Sequence, residues 1–394
     1  MTTDAAGKPG VLAAGWRDLV HPPPSQEPAL DALRAFAVLG VICAHYALPE
    51  WPHAAGALPR IGRSLPFLYG WTGVDLFFVL SGLLIGRQLW RELDTSGTVR
   101  VGRFLLRRGL RIWPLYFVAM VYVWLTAQTE WPDWVFLSNY LGGKFSRSWS
   151  LATEEQFYIV VPIMLVISAR VLSLRRQIWM VLALLASVPV VRAVTRVRLL
   201  GLGLQPQDLA DKMQYPIHLH CEPLLIGLLL ALLATTRPEW FARKAPGQIA
   251  WRALVVMLVM TAAGLLLDRY NKDVFAFFAL ALIFGGATYF ALVDRSLLSR
   301  PLHARWFYPI SRLSYGMYLN HFVVFPGSTA WVVRHGGGLP RTLLFVSGLV
   351  LATTISIAVA VVTFLLVEQP FLQLRARLLA RRERLVAPTL EPAA

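Results

Sequence analysis

The chain is 394 residues long, 56% hydrophobic and only 15% charged, with a mean hydropathy of +0.55. That composition excludes an ordinary soluble globular protein and leaves an all-α, polytopic membrane protein. The formal charge of +16 gives no reason to expect nucleic acid as a partner, because in a membrane protein the placement of Lys and Arg carries the information.

Ten apolar runs approach spanning length, at residues 29–48, 66–86, 113–127, 156–172, 178–192, 219–235, 250–267, 274–293, 309–332 and 341–366. With the N-terminus inside, the cytoplasmic segments hold 25 Lys and Arg and the outer loops hold 12. This asymmetry predicts about ten transmembrane helices with both termini cytoplasmic, in the inner membrane of the cell. Residues 1–28 form a polar tail ending in the linker "HPPPSQEP", without the features of a signal peptide. Residues 29–372 form the membrane domain, and an Arg-rich tail covers 373–394. No appended soluble domain and no internal repeat are expected. Cys43 and Cys221 lie in apolar runs and read as packing residues.

The first run, "LDALRAFAVLGVICAHYAL", carries Asp31, Arg34 and His45 into a segment meant for hydrocarbon. Such residues persist where they face a protein interior or an aqueous path. Arg34 and His45 are 11 residues apart, which is three helical turns plus ~20°, so they share a stripe ~16 Å long. Singly, Arg34 also reads as a snorkelling residue paired with Asp31, and His45 as an interfacial histidine. In the second run, "GWTGVDLFFVLSGLLIG", Asp75 is placed either to orient an imidazole or to cap the helix, while the glycines permit close packing.

"RFLLRRGLRIWPLY" follows. Arg103, Arg107 and Arg111 recur every four residues and stack on one face beside Arg108, and Pro114 is expected to interrupt the helix. The cluster suits a topology anchor or, through its guanidinium forks, polyanion recognition. "SWSLATEEQFYIVVP" sets Glu154 and Glu155 at the mouth of the fourth helix, where at most one of two neighbours can face a shaft. "YPIHLHCEPLLIG" places His218, His220 and Glu222 at the start of the sixth, without the shared face or third ligand of a metal site. "ISRLSYGMYLNHFVVF" brings Ser314, Tyr315, Tyr318 and His321, of which Tyr318 and His321 can share a face. "VEQPF" ends the tenth run with Glu368, an anchor or arginine partner, and Pro370 as a helix stop.

In this order the stretches "LDALRAFAVLGVICAHY", "GVDLFFVLSG", "RRGLRIWP", "WSLATEEQFY", "LSYGMYLNH" and "VEQPF" resemble acyltransferase family three, integral-membrane enzymes that modify surface carbohydrates and some secreted metabolites. The resemblance spans about residues 29–372. It implies acyl transfer from acyl-CoA, acetyl-CoA foremost, at the cytoplasmic face to a hydroxyl of a carbohydrate, glycolipid or small molecule such as a macrolide. No tightly bound cofactor and no metal are implied. His45 would be the catalytic histidine, Arg34 would lie on the donor path and Glu154 in the site, with Arg107, Arg108 and Arg111 on the donor phosphates. Asp75, Tyr318 and His321 are supporting candidates. Ser148 and His220 depart from the family pattern, where histidine and arginine are common. The chemistry is consistent: a histidine of reference pKa ~6.5 can deprotonate a hydroxyl, and Tyr318 or Arg34 can face the developing oxyanion. A transporter would share the intramembrane charges but should show repeated halves.

Overall fold

In a computed structural model, residues 10–24, 26–51, 55–127, 129–145, 148–242, 274–294 and 300–386 are described. Every regular element among them is helical. The long helices are α1 (Val11–Val20), α2 (Pro28–His45), α3 (Gly73–Ser96), α4 (Val101–Ala127), α5 (Ser148–Val171), α6 (Leu174–Gly201), α7 (Glu222–Thr236), α8 (Ala276–Val293), α9 (Phe307–His335), α10 (Arg341–Thr363) and α11 (Gln369–Val386). Seven spans among the described residues are long and apolar enough to cross a membrane, which makes this a multi-pass membrane protein. Nine of the ten apolar runs coincide with helices α2 to α10. The run at 250–267 lies outside the described residues.

Several boundaries differ from expectation, for a common reason. Apolar runs mark the hydrocarbon-facing part of a helix, whereas polar residues that face the protein extend it invisibly. Thus α4 begins at Val101, not 113, and passes through Pro114 unbroken, so the arginines ride on the helix itself. Proline is tolerated inside membrane helices where neighbours compensate the lost backbone bond. Pro370 likewise does not stop its helix: a π-helical turn, Phe364–Glu368, leads from α10 into α11. A second π-turn, Tyr46–Glu50, follows α2 and contains Pro49.

α3 and α7 approach one another closely. A Cβ on Gly82 would collide with the Leu224 carbonyl, and one on Gly227 with that of Val79, so the two backbones touch because both residues lack side chains. The larger core joins α3, α4, α5 and α7; a second joins the far half of α2 to α9 and α10 through Tyr46, Trp51, Phe325, Phe345 and Phe364. Within the segment read as a polar tail, α1 is amphipathic. Leu19 is buried, Tyr308 donates to the Asp18 carbonyl at 2.8 Å, Gln369 donates to the Asp18 carboxylate at 2.9 Å, and Leu12 and Trp16 stay exposed.

Candidate active site

The N-terminal half of α2, with Arg34, faces the N-terminal half of α4 across a cavity of about 910 Å³. One end is built of arginine: Arg34 from α2, Arg87 and Arg91 from α3, Arg100 just ahead of α4, and Arg103, Arg107, Arg108 and Arg111 on it. Against these eight the lining holds three acids, Glu27, Glu92 and Glu154. The four α4 arginines lie on adjacent rows because the sequence spaces them by three or four. Arg87 and Arg91 repeat that spacing at the end of α3, a signal present in the sequence but not singled out. Arg87 is tied to Glu27 at 2.8 Å, and Arg108 rests over the rings of Phe104 and Tyr158.

Arg34 lines the cavity while keeping a long ion pair with Asp31 at 4.0 Å. The Asp31 carboxylate is held more closely by Ser311 and Gln26, each at 2.7 Å. Glu154 and Glu155 part as their 100° separation requires. Glu154 lines the cavity with Ser81 and Tyr158, whose hydroxyls lie 2.9 Å from each other, whereas Glu155 is buried beneath Trp113, whose indole donates at 3.0 Å. Both lie in the second turn of α5, which starts at Ser148, not at the helix mouth.

On α9, Ser314, Tyr315 and Tyr318 line the cavity, and the next turn carries His321. The His321 Nε2 lies 2.9 Å from His45 Nδ1, with the rings parallel within 10° and their centroids 5.1 Å apart. His321 Nδ1 faces the Met317 carbonyl at 3.2 Å, so that nitrogen must carry the proton it donates. In the neutral pair, His321 Nε2 therefore accepts from His45 Nδ1–H, which fixes the His45 tautomer with its lone pair on Nε2. His45 is half-buried and His321 fully buried. Neither belongs to the cavity lining itself; His321 lies one turn beyond Tyr318 on α9, and His45 is set against it from α2.

Asp75 is elsewhere. It stands against His220 at 2.7 Å, both buried, while His220 Nδ1 donates to the Gln214 carbonyl at 2.9 Å. It thus orients an imidazole, but that of His220 and not His45, and it does so from the α3 face that packs on α7. Glu222 forms a buried ion pair with Arg192 at 2.8 Å, and Arg192 also donates to the carbonyls of Leu219 and Val274. His218 hydrogen-bonds Tyr140 at 2.9 Å, and burial holds its imidazole below the usual range. Among the described residues no group of His, Cys, Asp or Glu could hold a metal ion. Ser148, where histidine was the commoner expectation, donates to Asp133, whose carboxylate also accepts backbone N–H groups of Glu130, Lys144 and Phe145.

A sequence profile of acyltransferase family three, described as an acyltransferase domain, matches residues 27–361. The chain belongs to acyltransferase family three. Among curated relatives, a Staphylococcus aureus (strain COL) protein named as an O-acetyltransferase is 24% identical over 390 residues, covering 87% of this chain and 57% of that protein. Bacillus subtilis (strain 168) YrhL, named as a peptidoglycan O-acetyltransferase, is 27% identical over 345 residues, or 77% of this chain and 49% of its own. The peptidoglycan O-acetyltransferase OatA of Listeria monocytogenes is 29% identical over 166 residues, 36% of this chain and 24% of its own. The chain spans about half the length of the curated relatives it matches. No solved structure matches it.

Proposed function

We propose that this chain moves an acyl group from acyl-CoA, acetyl-CoA foremost, to a hydroxyl of a carbohydrate acceptor at the membrane. The observation that carries this reading is continuity: one cavity joins the arginine column to Tyr318, and the next helical turn holds the His45–His321 pair. Arg107, Arg108 and Arg111 hold the donor phosphates through charge-assisted bonds, and Arg34 lies along the path. The pantetheine arm reaches inward. His45 Nε2 takes the proton of the acceptor hydroxyl as its oxygen attacks the thioester carbon. The C–O bond forms, the C–S bond breaks, and the departing sulfur takes the proton back.

The names of YrhL and OatA support a cell-wall glycan as acceptor, in preference to a macrolide or other secreted metabolite. The basic asymmetry of 25 against 12 supports about ten spans with both termini and the arginine mouth on the cytoplasmic side of the inner membrane. The purified protein, given labelled acetyl-CoA with glycan fragments or a macrolide, should mass-shift the glycan by one acyl group. Transfer only to the macrolide would replace the acceptor class. No transfer from acetyl-CoA or from longer acyl-CoAs would remove the donor assignment.

A further inference from the structure

The arginines of the cavity stand at different depths, and the α3–α4 hairpin gives their order. α3 ends at Ser96, Gly97 turns the chain in the left-handed region with φ of 68°, and α4 begins at Val101. Across this hairpin the Arg100 backbone N–H donates to the Glu92 carboxylate at 3.2 Å, and the Arg108 guanidinium donates to the Gln88 side-chain carbonyl at 3.4 Å. Arg91 and Arg100 therefore stand near the turn, at the mouth. Arg87 lies one turn further along α3, ~6 Å in, and Arg107 and Arg108 lie more than one turn into α4. The mouth pair is exposed, whereas Arg87, Arg107 and Arg108 are half-buried. Arg87 is already engaged by Glu27.

The two phosphorus atoms of a diphosphate share one bridging oxygen, so the group is shorter than one helical pitch of ~5.4 Å. The inner arginines are enough to hold it. Arg91 and Arg100 line the same cavity one tier nearer the water, and the acid beside them, Glu92, already accepts the Arg100 backbone N–H. Cationic forks at a second depth call for a second anion on the same ligand. Coenzyme A carries one: the phosphate on its ribose, separate from the diphosphate and at the adenosine end, away from the thioester. We infer that Arg91 and Arg100 form a distinct subsite for the ribose 3′-phosphate, through which the protein distinguishes coenzyme A thioesters from those of carriers without that group. This inference rests on the acyl-CoA reading of the cavity and adds a carrier specificity to it. The order from the mouth inward is then ribose phosphate, diphosphate, pantetheine arm. A phosphopantetheine thioester, which ends at a single phosphate, leaves the mouth pair without a ligand.

The test compares acetyl-CoA with acetyl-3′-dephospho-CoA as donors for the purified full chain. The parent should show a KM about tenfold higher for the dephospho donor with kcat little changed, the lower end for a charge-assisted contact because both arginines are exposed. Arg91→Ala combined with Arg100→Ala should bring the ratio of the two KM values close to one by raising that for acetyl-CoA. The corresponding double lysine variant should keep part of the ratio. Arg108→Ala, one tier further in, should raise KM for both donors and keep the parent ratio. A fall in the folded fraction lowers the rate with both donors alike and does not move the ratio. A parent that uses the two donors equally overturns the inference while leaving acyl-CoA as the donor. So does a double alanine variant that keeps the parent ratio, which would place the 3′-phosphate elsewhere. A parent that transfers from neither donor removes the donor reading and this inference with it.

Discussion

His45 Nδ1 and His321 Nε2 lie 2.9 Å apart in parallel rings, on helices whose sequence positions differ by 276 residues. One histidine fixes the proton of the other, so in the proposed reaction His45 is the base and His321 its positioning residue. His45→Ala should lower single-turnover transfer by ~10² to 10⁴ while donor binding persists. His321→Phe should lose about 10² through misplacement of the His45 ring and should also displace the acid limb of the kcat–pH profile. The sign follows from the tautomer: protonation removes the lone pair, so the parent rate falls as pH drops below the imidazole pKa. A His321→Phe enzyme with the parent pH profile would remove His321 from the chemistry.

The arginine column makes a different kind of prediction. Removing one of Arg107, Arg108 or Arg111 deletes a charge-assisted contact of about 1.5–3 kcal/mol, so donor KM should rise about tenfold or more with a smaller change in kcat. Lysine should rescue partly, because a point charge replaces a fork. Steady-state kinetics on the alanine and lysine variants decides; parent KM in all three alanine variants would reduce the column to a topology anchor.

How much of this was readable beforehand depends on range. Local periodicity gave the apolar runs, the stacked α4 arginines and the divergence of Glu154 from Glu155, because each is set within two helical turns. The pairings His45–His321, Asp75–His220 and Ser150–Tyr318 span 276, 145 and 168 residues, and no local pattern encodes which helices face each other. Arg192 illustrates the boundary problem. It reads as the polar end of an apolar run, yet α6 continues to Gly201 and Arg192 is fully buried against Glu222. Pro114 and Pro370 misled for a related reason, since the rule that proline ends helices is weakest where neighbouring helices and π-turns absorb the missing bond.

Arg192 and Glu222 supply a stability test. Arg192→Ala leaves a buried carboxylate without its cation and should destabilise the protein by about 3–5 kcal/mol, seen as a lower melting temperature in detergent. Arg192→Met combined with Glu222→Gln should recover part of that loss, the remainder reflecting the carbonyls of Leu219 and Val274 left without a donor. A double variant no better than Arg192→Ala would mean that the charge pairing itself contributes little.

Close packing of α3 on α7 is tested at Gly227. Gly227→Ala drives a methyl into the Val79 carbonyl and should destabilise by about 1–3 kcal/mol. Gly102→Ala, on α4, has nothing within 4 Å of the new Cβ and should be neutral or stabilising. Equal melting temperatures for the two variants would show that the bundle relaxes around the extra methyl.

Orientation is checked with single cysteines at Ala57 and Asp94 on a background of Cys43→Ala and Cys221→Ala. An impermeant thiol reagent applied to intact cells should label Ala57→Cys and spare Asp94→Cys. The opposite pattern inverts the bundle and places the arginine mouth outside.

Eight arginines line the cavity, and in the proposed reaction it is the phosphate end of the donor that they hold. Those phosphates are the same before and after the reaction. A site that grips its donor by the unreactive end holds the spent carrier nearly as well as the charged one, so free coenzyme A should be a strong competitive product inhibitor. Turnover in the cell would then follow the ratio of acylated to free carrier more closely than the concentration of either, and the enzyme would act as a readout of acyl supply.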